Sequence, residues 1–167
     1  MKKRYWLVVT ALLVSLFIYV FYRTEKTVVN EMLLTIISRD TFFGLRKIII
    51  NVLPLNEHLI YSLPEGLWVF CITFTSKHLF LKLAGRAINL VFVPLVFSIG
   101  LELFQLLRLT NGRFDFWDIG ASIVFWTIAN YSMIDNRERQ NVLSPFNYRS
   151  LILIASYLIV YLAHVFV

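Results

Sequence analysis

Two pairs of polar residues flank a short polar segment in an otherwise apolar part of the chain. Glu102 and Gln105 precede this segment, and Asp115 and Asp118 follow it. A spacing of three places both members of a pair on the same face of a helix. Carboxylates in apolar surroundings can act as general acids and bases, bind cations or hydrogen-bond donors, or hold oxygen-preferring metal ions. The chain therefore carries the side chains for one of these kinds of site.

The segment between the two pairs decides whether they can meet. Residues 108–113 contain an Asn-Gly pair, which is a strong turn signal. Because so short a connection makes the flanking helices antiparallel neighbours, their polar faces lie at the same depth. Ser98 and Ser122 extend these faces by one turn each, and Arg113 has the geometry to pair with carboxylates. The spacing predicts one shared polar pocket.

Two alternatives stay open for the same residues. Asp115 and Asp118 could complement the positive N-terminal end of their helix, while Glu102 and Gln105 join helices through hydrogen bonds. Three carboxylates could also bind Mg²⁺ or Ca²⁺. However, no histidine accompanies them and Arg113 would compete for the carboxylates, so the sequence predicts neither a metal nor a cofactor. The number of charged groups exceeds what helix capping needs, which favours the pocket.

The composition places this pocket in a membrane protein. Hydrophobic residues make up 59% of the 167 residues and charged residues 16%, against about 45–50% and about 25% in soluble domains. The net charge of +6 comes from basic residues beside apolar runs, where they anchor helices at anionic lipid rather than bind nucleic acid. We predict an all-α, polytopic transmembrane helical bundle, one domain over residues 1–167. Its expected spans are approximately 5–22, 64–82, 88–107, 116–133 and 151–167.

Two segments between these spans need their own interpretation. Residues 41–53 form an amphipathic helix that Pro54 ends, which indicates a helix in the membrane interface or one packed over the mouth of the bundle. The second span is expected to start after a turn at residues 62–66. It reaches across the bilayer if residues 78–83 continue the helix and Lys77 extends its charge to the interface.

The distribution of Lys and Arg favours a cytoplasmic N-terminus. The polar pocket then opens outward. Because the second span begins on the same side, Glu65 and Trp68 are predicted at the rim of the pocket. Trp68 and Trp117 alternatively serve as interfacial anchors.

The polar residues also resemble a known motif. Glu102-x-x-Gln105, followed after a short turn by Arg113-x-Asp115-x-x-Asp118, resembles the central motif of the VanZ-like membrane protein family. The resemblance covers about residues 62–133. Ser122 and Phe125 stand where that family often has Asn and Gly, and Ser62 to Trp68 replace its Asn and Pro-Phe-Gly signature, which indicates a divergent member. The resemblance implies a small multi-helix protein of the bacterial cell envelope, in the cytoplasmic membrane, and a role in teicoplanin resistance.

Three functions fit these observations. The first is a non-catalytic protein whose pocket binds an amphiphile, such as a membrane lipid or a lipoglycopeptide antibiotic. The second is a membrane-embedded enzyme acting on a lipid-linked substrate, with Asp115 or Asp118 as general base and Glu102 as acid. The third is a structural or assembly protein. The ligand-binding residues of the first hypothesis are Glu65, Trp68, Glu102, Gln105, Arg113, Asp115, Asp118 and Ser122.

Overall fold

A computed structural model describes residues 2–23, 28–83, 85–109, 113–131 and 139–164, and most of these residues are helical. The helices are α1 (Lys2–Tyr22), α2 (Val28–Ile36), α3 (Arg39–Val52), α4 (Glu57–Ser76), α5 (Val93–Leu106), α6 (Phe116–Tyr131) and α7 (Tyr148–His164). The short strands are β1 (Leu79–Leu83), β2 (Arg86–Asn89) and β3 (Gln140–Asn141). The predicted helical fold is thus confirmed at this coarse level, and the strands are a departure from it.

Helix α4 is the centre of the molecule. It packs against α6 and α1 most extensively, and also against α5 and α7. Several of its side chains are fully buried, among them Val69 and Ile72. At Gly66 the approach to α6 is close, since a Cβ added there would lie 2.3 Å from the ring of Phe125. The absence of a side chain at this position is what lets the two helices pack so tightly.

Helix α4 begins earlier than predicted. Asn56 caps its N-terminus by accepting a hydrogen bond from the His58 backbone N–H at 3.2 Å. The expected turn at residues 62–66 is wrong, because α4 continues through it with Pro64 inside the helix. A proline has no N–H to donate to the carbonyl four residues before it, which here belongs to Ile60. The Arg23 side chain, just beyond α1, replaces that donor.

Arg23 joins α1 to α4 through the backbone. Its Nε donates to the Ile60 carbonyl at 3.4 Å, and its Nη2 donates to the Tyr61 carbonyl at 2.7 Å. Arg46 of α3 in turn donates to the carbonyls of Phe21 and Arg23 at 3.0 and 2.8 Å. The two arginines therefore connect α3, the end of α1 and the first turns of α4.

The predicted continuation of the second span through residues 78–83 is wrong. Helix α4 ends at Ser76, and β1 and β2 then form an antiparallel hairpin with Phe80 opposite Asn89 and Leu83 opposite Arg86. Gly85 supplies the positive φ of +80° that the connection requires. Strand β3 pairs with the other edge of β1 in parallel. Strand β1 is therefore paired with β2 on one edge, and with β3 on the other edge at Leu79 and Phe80.

The remaining boundaries agree more closely with the sequence. Helix α3 spans Arg39–Val52 against the predicted 41–53, and Ser38 caps it. Helix α5 starts at Val93, after a 3₁₀ turn at Leu90–Phe92, rather than at residue 88. The Asn111-Gly112 turn and the ends of two predicted spans, at 132–133 and 165–167, lie outside the described residues.

In the described part of the chain, one helix, α4, is long and apolar enough to cross a membrane. The apolar stretches Trp6–Tyr22, Leu90–Leu106 and Tyr148–Leu158 are shorter. The five-span arrangement therefore stays a prediction.

Candidate functional site

Polar side chains from α4, α5 and α6 meet at the end of the bundle that carries the α5–α6 connection. Glu65 of α4 accepts a hydrogen bond from Ser98 Oγ through Oε1 at 2.9 Å and one from Trp68 Nε1 through Oε2 at 2.6 Å. Ser98 Oγ lies 2.7 Å from Ser122 Oγ of α6. Because the single hydroxyl proton of Ser98 goes to Glu65, Ser122 is the donor to Ser98. The polar faces of α5 and α6 thus meet through their serines, and Glu65 ties both to α4.

Glu102 and Asp115 form a second contact between α5 and α6. The Asp115 backbone N–H donates to Glu102 Oε2 at 3.0 Å, and Asp115 Oδ1 accepts from the Trp117 backbone N–H at 2.9 Å. The latter is the hydrogen bond of an N-cap residue. For Asp115 the helix-capping interpretation therefore holds, and Glu102 fixes the backbone from which the cap projects.

Asp118 occupies the third position of α6, where an acidic side chain often accepts the N–H of the N-cap residue. Glu102 takes that N–H instead. The Ser62 hydroxyl of α4 lies beside the Asp118 carboxylate. Yet neither Ser62 Oγ nor Asp118 Oδ1, both buried, has a hydrogen-bond partner of standard geometry among the described residues. Among the described residues of the site, these are the two buried polar atoms whose hydrogen-bonding capacity is left unused.

We name Glu65, Glu102, Asp115 and Asp118 the carboxylate cluster. Glu102 and Asp118 each lie within electrostatic reach of the other members. Like charges repel strongly where water is excluded, so the cluster favours a positive group. No ion pair joins Glu102 or Asp118 to a Lys or Arg side chain within the described ranges.

Arg23 supplies positive charge near the cluster without pairing with it. It acts electrostatically on Asp118, but its Nη1 donates to the Tyr19 hydroxyl at 3.1 Å, and its Nε and Nη2 each donate to a backbone carbonyl. Its guanidinium also lies 4.5 Å from the centre of the Tyr19 ring. Arg23 therefore offsets part of the cluster's charge while its own hydrogen bonds hold α1 and α4 together.

Six of the eight predicted ligand-binding residues come together here, namely Glu65, Trp68, Glu102, Asp115, Asp118 and Ser122. Arg113 does not, because it is exposed and has no ion pair with a described carboxylate. Among the described residues, the side chain of the half-buried Gln105 makes no hydrogen bond to the cluster, and its backbone carbonyl accepts from the Arg108 N–H at 3.0 Å.

The two tryptophans named in the predictions differ in their exposure to solvent. Trp68 is 3% exposed, so its predicted roles at the rim or as an interfacial anchor are wrong. Trp117 is 60% exposed and its ring lies 4.8 Å from that of His58. Trp117 therefore stands at the edge of the site, and Trp68 supports it from inside.

Sequence reasoning missed three residues of this site: Tyr19, Arg23 and Ser62. Ser62 precedes Glu65 by three positions, so the same spacing rule would have placed it on the face of Glu65. The prediction of a turn at residues 62–66 obscured that signal. For Tyr19 and Arg23 the local sequence contains no such signal, because packing of α1 on α4 brings them to the site.

No group of three or more His, Cys, Asp or Glu side chains among the described residues is arranged to hold a metal ion. The chain matches no protein-family model, no curated protein and no solved structure. The interpretation of the site therefore depends on its own geometry.

Proposed function

We propose that the chain is a multi-pass protein of the bacterial cytoplasmic membrane whose carboxylate cluster binds the polar head of an amphiphile. The observation that carries this proposal is the distribution of side chains on α5 and α6. Their inward faces bury polar groups, and their outward faces are apolar. A site of this kind is reached from the membrane surface, where amphiphiles reside.

This distribution, with polar side chains inside and apolar side chains outside, is clearest on α5. Glu102 is 4% exposed and Ser98 is fully buried, while Val96 is 68% exposed and Phe97 54%. A surface helix of a water-soluble protein has the opposite arrangement. In lipid, polar side chains join helices and apolar ones face the hydrocarbon. Two other helices share the pattern, with buried Ser122, Ser150 and Ser156 and exposed Ile123, Val124, Leu151, Ile154 and Leu158.

The order of the elements places the sheet and the carboxylate cluster at opposite ends of the bundle. Strands β1, β2 and β3 form one sheet at the end of α4 opposite the carboxylate cluster. With a cytoplasmic N-terminus, this sheet lies inside and the cluster lies outside. Helix α3 stands at the cluster end, where it exposes Ile48 and Val52 beside the exposed Arg39 and Lys47. Such a helix suits the headgroup region of anionic lipid, so membrane lipids are the proposed partners.

Binding explains the cluster better than catalysis does. Ser98 gives its hydroxyl proton to Glu65, and Ser122 gives its own to Ser98, so both of these hydroxyls are already engaged within the site. The carboxylate proposed as general acid, Glu102, is engaged with the Asp115 backbone. Asp118 and Ser62 remain, and together they can bind a group without changing it.

The test of this proposal uses the antibiotic class that the VanZ-like motif implies. Susceptibility to teicoplanin and vancomycin is measured in a sensitive Gram-positive host expressing the wild type, Asp118→Asn, Glu102→Gln or Glu57→Gln. We expect selective protection against teicoplanin, whose acyl chain makes it an amphiphile. Asp118→Asn abolishes the protection because it removes the charge that receives the head group. Glu102→Gln also weakens it, because the negative charge of the cluster falls.

Glu57→Gln is the matched control, since Glu57 is an exposed acidic residue in the first turn of the same α4 helix. It should protect as the wild type does at equal membrane levels. If the well-expressed wild type gives no protection, the antibiotic is not the ligand. If Asp118→Asn protects fully, the carboxylate cluster is not the binding site.

A further inference from the structure

Asp118 and Ser62 are the part of the site that can still receive a ligand. Ser62 is 6% exposed and Asp118 Oδ1 is buried, and neither Ser62 Oγ nor Asp118 Oδ1 has a hydrogen-bond partner of standard geometry among the described residues. The two side chains come from α4 and α6 and lie beside each other. A buried polar atom without a partner is costly, so a group that bonds to both atoms would be bound favourably.

The chemistry of the cluster determines the sign of that group. A carboxylate accepts hydrogen bonds and carries negative charge, and Glu65, Glu102 and Asp115 all act on Asp118 or on one another. An anionic head group would add to their repulsion. Arg23 already uses three of its five N–H donors on Tyr19 and on the carbonyls of Ile60 and Tyr61, and its single positive charge offsets only part of that repulsion.

A protonated primary amine fits these requirements. An ammonium group carries three N–H donors and a compact positive charge. It can donate to Asp118 Oδ1 and to Ser62 Oγ at once, and it offsets the charge of the cluster. The rings of Phe116 and Trp117, which precede Asp118 in the chain, are 77% and 60% exposed. They supply apolar surface for the carbon chain of the same ligand.

We infer that the amphiphile bound at this site carries a protonated amine, held between Asp118 of α6 and Ser62 of α4. This inference rests on the proposed function and narrows its ligand class. The amine belongs either to a lipid head group or to a soluble amphiphile, and both offer the same chemistry.

The test compares three probes of equal chain length. Hexylamine, hexanol and hexanoate are titrated by calorimetry into the purified full-length protein in uncharged dodecyl maltoside micelles, with empty micelles as the blank. We expect saturable binding of hexylamine, at least about tenfold tighter than that of hexanol, because a buried charge pair is worth more than this factor. Hexanoate should not bind.

The variants Asp118→Asn and Ser62→Ala assign the binding to this pair of residues. Each should weaken hexylamine binding by about tenfold or more, whereas Glu57→Gln should leave it unchanged. Ser62→Ala removes only one hydroxyl. If Asp118→Asn does not fold, the hexylamine affinity of Ser62→Ala is compared with that of the wild type instead. Full hexylamine affinity in a folded variant of either residue would overturn the inference.

The remaining outcomes separate the inference from the proposed function. If hexanol or hexanoate binds as tightly as hexylamine and Asp118→Asn abolishes that binding, the site takes an amphiphile but the amine is wrong. If no probe binds to the folded wild type, both proposals fail. Phosphatidylethanolamine added to the micelles identifies the source: competition with hexylamine indicates a lipid head group, and its absence indicates a soluble amine.

Discussion

At the level of single residues, the four members of the carboxylate cluster have different tasks. Asp115 caps α6, Glu102 holds the backbone of that cap, and Glu65 receives the Ser98 and Trp68 donors. Asp118 retains a buried oxygen without a partner in the described residues. Substitutions should therefore separate residues needed for folding from the residue needed for binding.

Glu102 tests the folding role most directly, because its carboxylate accepts the Asp115 backbone N–H. Glu102→Ala leaves the Asp115 N–H without its acceptor, so we expect a loss of about 1–3 kcal/mol in the free energy of unfolding. Glu102→Gln retains an acceptor oxygen and should lose less than half as much. The measurement is unfolding by SDS in dodecyl maltoside micelles, followed by circular dichroism. Equal losses in the two variants would contradict the role given to this hydrogen bond.

At the level of the elements, a proline in α4 and an arginine beyond α1 compensate each other. Pro64 leaves the Ile60 carbonyl without a donor from its own helix, and Arg23 provides one. This pairing lets α4 continue through Pro64, and Ser62 and Glu65 then share one face of a single helix. The site on α4 therefore depends on the end of α1.

A double-mutant cycle tests this compensation. Arg23→Met removes the donors and should destabilise the protein, since the Ile60 and Tyr61 carbonyls both lose a hydrogen bond. In a Pro64→Ala background, the new N–H can bond to Ile60. We therefore expect Arg23→Met to cost about 0.5–1.5 kcal/mol less there. Additive losses in the same SDS unfolding assay would show that the two residues act independently.

The contact of α4 with α6 gives a second prediction at this level. Gly66→Ala places a Cβ 2.3 Å from the Phe125 ring, and such overpacking costs about 1–3 kcal/mol. Gly120→Ala on α6 is the control, because nothing lies within 4 Å of its added Cβ and the helix gains up to about 1 kcal/mol in propensity. Phe125→Leu should restore part of the loss in Gly66→Ala. If the two alanine variants are equally stable, the helices are not closely packed at Gly66.

At the level of the whole molecule, the two ends of the bundle should face opposite sides of the membrane. Arg86 lies in the hairpin, Arg113 precedes α6 at the opposite end of the bundle, and both side chains are exposed. In a Cys71→Ala background, a membrane-impermeant maleimide should label Arg113→Cys in intact cells and Arg86→Cys only after permeabilisation. The reverse pattern would mean an inverted protein. Labelling of both sites in intact cells would exclude the proposed arrangement.

The sequence by itself determined the helical character of the chain and the meeting of α5 with α6. Both follow from local rules: apolar runs form helices, a spacing of three defines a helical face, and a short connection makes neighbours of two helices. The contacts Ser98–Ser122 and Glu102–Asp115 lie where these rules placed them. Local rules did not suffice at Pro64 and at residues 78–83, because the donor for Ile60 and the partners of β1 come from other elements.

Tertiary structure alone decided which side chains complete the site. Arg23, and not Arg113, supplies the nearby positive charge, because the packing of α1 on α4 fixes its position. Trp68 is buried and Trp117 is exposed, because Trp68 lies in the middle of α4 and Trp117 in the first turn of α6. Asp118 does not accept the N–H of the N-cap residue Asp115, because Glu102 of the neighbouring helix already accepts it. Side chains from distant segments compete for the same donors and acceptors, and their competition is settled by how the helices pack.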